Sequence, residues 1–96
     1  MHVITKKALT QFWGGYPDAE APLRVWYTLV SKNDFDNFAE LKNAFRSVDK
    51  VGRYTVFNIG GNKYRLIVII HYFRRKVYVR HVLTHAEYDR ALWKRE

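Results

Sequence analysis

The sequence predicts an α+β fold: a small, mainly antiparallel β-sheet with N-terminal helices packed on one face and a further helix at the C-terminus. Two observations predict it. Apolar residues recur at helical spacing as far as Phe45, and from Arg53 onward the period changes to two. Val, Ile, Tyr and Phe then concentrate in three runs separated by Gly60-Gly61 and Arg74-Arg75. With 96 residues, 48% hydrophobic and 17% aromatic, the chain can bury one core. No linker, low-complexity segment or internal repeat divides it, so residues 1–96 are expected to form a single domain.

In order, His2-Val-Ile fits a short first strand, and Thr5 is placed to cap a helix from Lys6 to Trp13, which Gly14-Gly15 stops. Pro17-Asp18 opens a second helix with Asp18 as cap. Glu20 sits in its favourable first turn, and Ala19, Leu23, Trp26, Tyr27 and Val30 line one face. Ser31 to Asp36 is a polar connection. Phe38, Leu41 and Phe45 keep helical spacing for a short third helix, ending in the stretch from Ser47 to Gly52. Three antiparallel strands follow, from Arg53 to Ile59, Lys63 to Tyr72 and Val77 to Thr84, and a last helix runs from Thr84 to about Lys94. Thr84-His-Ala-Glu87 is a capping-box pattern: the Thr hydroxyl caps the helix and the Glu reaches back to the Thr amide.

If Gly60-Gly61 and Arg74-Arg75 are both two-residue turns, Val56 lies opposite Arg65, Ile69 opposite Arg80, and Arg65 opposite Thr84. One face then carries Phe57, Tyr64, Leu66, Val68, Ile70, Tyr72, Val77, Val79 and Leu83, and the helices are expected to cover it. The other carries Tyr54, Val56, Asn58, Lys63, Arg65, Ile67, His71, Tyr78, Arg80 and Val82, mixing cations, aromatics and amides, and is the face expected to meet a partner.

Seventeen Lys and Arg against nine Asp and Glu leave a net charge of +8 and a pI near 9.9, so the partner is expected to be anionic. Nucleic acid, an acidic protein and an anionic membrane all satisfy charge sign. No strongly basic amphipathic helix stands out and no apolar run reaches the roughly 18 residues of a membrane span, so membrane ranks last. The N-terminus does not read as a signal peptide, and the absence of cysteine excludes disulfides, thiolate zinc sites and thiol nucleophiles. A cytoplasmic location is expected. His2, His71, His81 and His85 lack metal-binding spacing, since a strand-to-helix boundary separates the last two. No metal and no cofactor are expected.

Lys63 and Arg65, two apart on a strand, would project from one face, where a phosphate needs fixed positive charge and Arg can bind its oxygens bidentately. A solvated strand face explains the same pair, and Arg80 on the neighbouring strand favours a site. His85, in a first helical turn, is either without a role or a general base whose neutral form the helix dipole favours. Tyr88 could donate to a phosphate, stack on a base or anchor the core, and Asp89 could orient His85 or pair with an Arg. Asn58 and Asn62 flank the Gly-Gly turn and could read a base edge, and Arg74, Arg75 and Lys76 add positive field at the other turn. Gly60-Gly61 joins two strands and lacks the Gly-Lys-Ser/Thr of a phosphate loop.

Phe12-Trp13, Pro17-Asp-Ala-Glu20, Trp26-Tyr27, Val56-Phe-Asn-Ile-Gly-Gly-Asn-Lys-Tyr-Arg-Leu66 and Thr84-His-Ala-Glu-Tyr-Asp89 together resemble the HigB-type toxins of the RelE-like toxin–antitoxin superfamily. The resemblance spans nearly the whole chain. It implies an mRNA interferase that cleaves messenger on the translating ribosome and is neutralised by a HigA-like antitoxin with a helix-turn-helix domain. Operator DNA would be reached only through the antitoxin complex. It also implies that Arg65, in the Tyr-Arg-Leu motif, contacts the scissile phosphate, and that the neighbourhood of His85 and Tyr88 completes the site. RelE itself concentrates Lys and Arg where this chain has Thr84-His85, Leu83 stands where many relatives have a small residue, and His81 where an apolar one is usual. The expected chemistry is metal-independent attack of the ribose 2'-hydroxyl on the adjacent phosphate, with His85 as base, Lys63, Arg65 and Arg80 stabilising charge and Tyr88 positioning substrate or protonating the leaving oxygen. The alternative is a non-catalytic RNA- or ribosome-binding module using the same basic residues.

Overall fold

In a computed structural model, which describes residues 1–95, the chain forms a five-stranded sheet in the order β1-β5-β4-β3-β2. The strands are β1 (His2–Ile4), β2 (Asp49–Val51), β3 (Tyr54–Ile59), β4 (Tyr64–His71) and β5 (Lys76–Thr84). β1 runs parallel to β5, and the other neighbours are antiparallel. Strand β2, which alternation alone did not disclose, is the far arm of a hairpin turned at Gly52, with Val51 opposite Tyr54.

The helices α1 (Lys7–Gly15), α2 (Glu20–Lys32) and α3 (Phe38–Ala44) cover one face of the sheet. Leu9, Leu23, Trp26, Val30 and Leu41 from the helices meet Phe57, Leu66, Val68, Val77 and Val79 from the sheet in the main core. The apolar stripe of α2 therefore faces inward as its spacing predicts. Two caps are different from expectation. Thr5 has a positive φ of 73° and does not bond the helix with its side chain. Asp18 lies in a 3-10 turn before α2, and its carboxylate is drawn away to Lys63 and Tyr64, at the start of β4. Asn37 caps α3 instead, accepting from the Glu40 amide at 3.0 Å.

Both hairpins close wider than two residues. Ile59 pairs with Tyr64 and His71 with Lys76, so four residues span each turn. Asn58, not Val56, lies opposite Arg65, and Ile69 lies opposite Tyr78, not Arg80. These shifts are even, so they leave side chains on their expected faces. The odd shift comes from a bulge: Val68 pairs with Val79 but Ile67 with His81, which leaves Arg80 as the extra residue of β5. Beyond it the faces exchange. Val82 packs on the main core, and Leu83, opposite Arg65, joins the other face.

That other face is not open. Tyr54, Val56, Ile67 and Trp93 form a second buried cluster, flanked by Val51, Ile69, Leu83 and Tyr88. The expected long C-terminal helix is broken into α4 (His85–Asp89) and a 3-10 turn (Leu92–Arg95). Ala91, at a φ of 58°, makes the break, and its left-handed backbone turns Trp93 back onto the sheet. The Trp93 ring meets Tyr54 edge-on at 5.3 Å and stacks on Tyr88 at 5.3 Å, while its indole N–H donates to the Tyr88 carbonyl at 3.2 Å.

Candidate functional site

Arg65 projects from β4 toward the second cluster and is only 8% exposed. A buried guanidinium needs acceptors, and the wide hairpin supplies them. Its Nη1 donates to the carbonyls of Asn62 and Tyr64, each at 3.2 Å, and its Nη2 to Asn62 Oδ1 at 2.8 Å. The Tyr88 ring lies beneath it, 5.5 Å from the guanidinium carbon. Positive φ values of 63° at Gly60 and 69° at Gly61 allow the chain to curl so that Asn62 reaches back to Arg65.

Thr84 and Glu87 form the expected capping box, which starts α4. The amide of His85 donates to the Lys63 carbonyl at 3.0 Å, hanging the first turn of α4 directly on the Gly-Gly hairpin. His85 Nδ1 lies 3.0 Å from Asp89 Oδ2, one helical turn away. In a neutral imidazole with Nδ1 donating to Asp89, Nε2 is the acceptor. Burial pushes the Tyr88 hydroxyl above its ordinary pKa, and the Asp49 carboxylate adds to the rise while Arg65 opposes it. Tyr88 therefore keeps its proton at neutral pH.

Lys63 lies in the turn, not in β4, and its ammonium pairs with Asp18 at 2.9 Å on the helix side of the sheet. It does not share a face with Arg65. Tyr64, buried in the main core, donates its hydroxyl to the other oxygen of Asp18 at 2.5 Å. This bond raises the Tyr64 pKa to about 12, and the bonds from Tyr64 and Lys63 hold the Asp18 carboxyl below its usual value. Sequence reasoning missed Asp18 as a partner of the hairpin because a Pro-Asp pair before an apolar stripe is also a helix-start signal. It missed Trp93 as the lid of the second cluster because nothing in the pattern announces a left-handed alanine.

Arg80 is exposed at the bulge, beside His81. Asn58 is exposed opposite Arg65. Arg74, Arg75 and Lys76 are elsewhere. Six residues of β4, at about 3.3 Å each, put them roughly 20 Å from Arg65. Arg75 is occupied there: it donates to the Phe35 carbonyl at 2.8 Å and to Asp36 at 2.6 Å, tying the hairpin to the loop after α2.

Two cavities bear on the choice of site. One of about 380 Å3 lies between α2 and β3, and its walls, among them Val25, Leu29, Phe45 and Phe57, carry no titratable side chain. The other, of about 290 Å3, is lined by His81, Leu83, Glu87, Arg90, Leu92 and Trp93 and adjoins α4. The second carries titratable side chains, but His85, Tyr88 and Arg65 are not among its walls. Among the described residues no three His, Asp or Glu side chains gather as metal ligands.

Residues 19–91 match the model of the HigB toxin family, described as the RelE-like toxic component of a toxin–antitoxin system. The chain belongs to this family. Over 92 residues it is 36% identical to the mRNA interferase toxin HigB of Escherichia coli, covering 93% of this chain and 88% of that protein. The mRNA interferase HigB of Shigella flexneri matches over the same shares at 36%. A second Escherichia coli HigB is 30% identical over 93 residues, or 94% of this chain and 90% of its own length. The α+β architecture with helices on one face is the RelE-like fold that the resemblance implies. No described helix is long and apolar enough to cross a membrane.

Proposed function

We propose that this HigB-family chain is an mRNA interferase: an endoribonuclease that cuts messenger, on the translating ribosome, and is neutralised by a HigA-like antitoxin whose helix-turn-helix domain carries any operator binding. The carrying observation is the His85–Asp89 pair, set at 3.0 Å on a helix start that is bonded to the hairpin bearing Arg65. Family membership and the names of the relatives support the same reading.

In the proposed reaction His85 Nε2 takes the proton of a ribose 2'-hydroxyl. The 2'-oxygen bonds to the adjacent phosphorus, the bond from phosphorus to the 5'-oxygen breaks, and that oxygen is protonated with Tyr88 as donor. A 2',3'-cyclic phosphate and a 5'-hydroxyl end result, and no other reactant is required. Arg65 offsets the charge that builds on the phosphorane, Arg80 adds positive field from the bulge, and Lys63, on the helix side, reaches the phosphate only on release from Asp18. Three of the five N–H donors of Arg65 are committed to Asn62 and Tyr64, which orients the remaining edge of the guanidinium. Lys63 is held only by an exposed ion pair to Asp18, a contact that a phosphate can displace at small cost.

The rival reading is a non-catalytic RNA- or ribosome-binding module, and the net charge of +8 supports it equally, because an anionic partner is attracted whether or not it is cut. Mapping of messenger 5' ends after induction separates the two. New 5'-hydroxyl ends with the natural chain, lost in His85→Ala while ribosome association persists, are the expected result. An acid–base group contributes about 100- to 10,000-fold, so undiminished cleavage by His85→Ala would overturn the assignment.

A further inference from the structure

The cavity of about 290 Å3 between β5, α4 and the C-terminal 3-10 turn has no part in the mechanism above. Its composition is specific. Leu83, Leu92 and Trp93 make its apolar walls, and His81, Glu87 and Arg90 are its polar groups. Leu92 is 57% exposed, so its side chain is available to a ring entering the cavity. The volume is at the lower end of small-molecule sites, enough for one planar ring system with its hydrogen-bonding edge.

Glu87 and Arg90 are three apart and so project on neighbouring sides of α4, and both line the cavity. They offer a carboxylate acceptor and a planar double donor. One Glu87 oxygen holds the Thr84 amide at 2.9 Å, which fixes the carboxylate in place while its second oxygen can accept another bond. Among the RNA bases, guanine alone presents two adjacent N–H donors beside two adjacent acceptors, O6 and N7. Arg is the usual partner of O6 and N7, and a carboxylate accepts from ring and exocyclic N–H groups. Adenine has no acceptor pair for Arg90, and cytosine and uracil fill less of the apolar wall. Single-stranded RNA with its bases splayed out is the substrate form in which such an edge becomes accessible.

We propose that this cavity is a guanine-binding subsite for the RNA substrate, in which Arg90 takes O6 and N7, Glu87 takes the N1 hydrogen with its second oxygen, and Leu83 and Leu92 sandwich the ring. The inference rests on the reading of the chain as a ribonuclease. It places a guanosine within a nucleotide or two of the scissile phosphate, because Glu87 and His85 stand on one turn of the same short helix while projecting to different sides of it. Glu87 and Arg90 are specificity residues, outside the acid–base machinery.

Two measurements test it together. The first maps 5'-hydroxyl ends in total RNA after expression of the natural chain, Glu87→Gln and Arg90→Ala. Gln preserves the capping box, so Glu87→Gln changes the carboxylate without removing the cap. Guanosine enriched at a fixed position near the cut, with the enrichment reduced about tenfold in both variants while cutting continues elsewhere, is the expected result. Cutting without guanosine enrichment, or enrichment unchanged in both variants, overturns the proposal. The second uses His85→Ala protein, which needs no cleavage, and measures binding of the trinucleotides UGU and UAU by heteronuclear NMR. Tighter binding of UGU by about tenfold, with shifts at Leu83 and Leu92 and lost in Arg90→Ala, supports the subsite. Equal affinities overturn it. If the natural chain produces no new ends, the nuclease reading fails, and the binding comparison alone decides the subsite.

Discussion

The second cluster hangs on a single ring, and removing that ring has a calculable effect. Trp93 is 4% exposed, covers Tyr54 and Tyr88, and closes the face of the sheet opposite the helices. Truncating a buried Trp to Ala costs about 3–5 kcal/mol. A domain of this length unfolds with an entropy of about 0.2 kcal/mol per degree, taking about 2.1 cal/mol/K per residue. Trp93→Ala should therefore lower Tm by about 15–25 °C. The measurement is thermal unfolding followed by far-UV circular dichroism, in a His85→Ala background so that a toxic chain accumulates. Phe73→Ala serves as reference, since Phe73 is 99% exposed, and should leave Tm unchanged. A fall of less than about 5 °C for Trp93→Ala would refute the docking of the C-terminal turn on the sheet, and with it the burial of Arg65 beneath Tyr88.

Ala91→Gly should raise stability by about 1 kcal/mol in urea unfolding, because glycine meets no penalty at a φ of 58°. Tyr64→Phe tests the tie to Asp18. The Tyr64 pKa is raised to about 12, so the stability it adds is complete below the ordinary tyrosine value and is lost as pH rises through about 12. The gap in stability between the natural chain and Tyr64→Phe should be level from about pH 5 to about pH 9 and close above about pH 10. The lowered Asp18 carboxyl acts at the other end: its contribution is present above the ordinary carboxyl range and disappears as pH falls through the lowered value. Acid unfolding of Asp18→Asn should lack that component. Asp89→Asn should reduce kcat for RNA cleavage with KM unchanged, by less than the roughly 100- to 10,000-fold expected of His85→Ala. Equal activity would leave Asp89 as a surface charge.

Element types were legible because they follow from local periodicity. The stripe of α2, the alternation of β3, β4 and the first half of β5, and the capping box at Thr84 depend on neighbours within one or two turns, and all three stand in the structure. Turn length was less legible, since Gly60-Gly61 suits a two-residue hairpin as well as the four-residue one it joins. The bulge at Arg80 was not legible at all. It brings Val82 beside its cross-strand partner Leu66 on the main core, a tertiary condition that no single strand encodes. The candidate site follows the same division. His85 and Asp89 meet through helical spacing alone. Lys63 parts from Arg65 because the wide turn sends it to Asp18 on the opposite side, and Arg74 to Lys76 stand at the wrong end of β4.

The extra residue at Arg80 makes β5 two strands in one. From Lys76 to Val79 its inward side chains answer to the helices, while past the bulge His81 and Leu83 answer to the cavity and to Arg65. Substitutions in the two stretches are thus uncoupled. Under the proposed subsite, positions 81 and 83 can change what the cavity admits while the helix-facing stretch of β5 keeps its packing, whereas deletion of one residue at position 80 would return both stretches to one alternation and set the two requirements against each other.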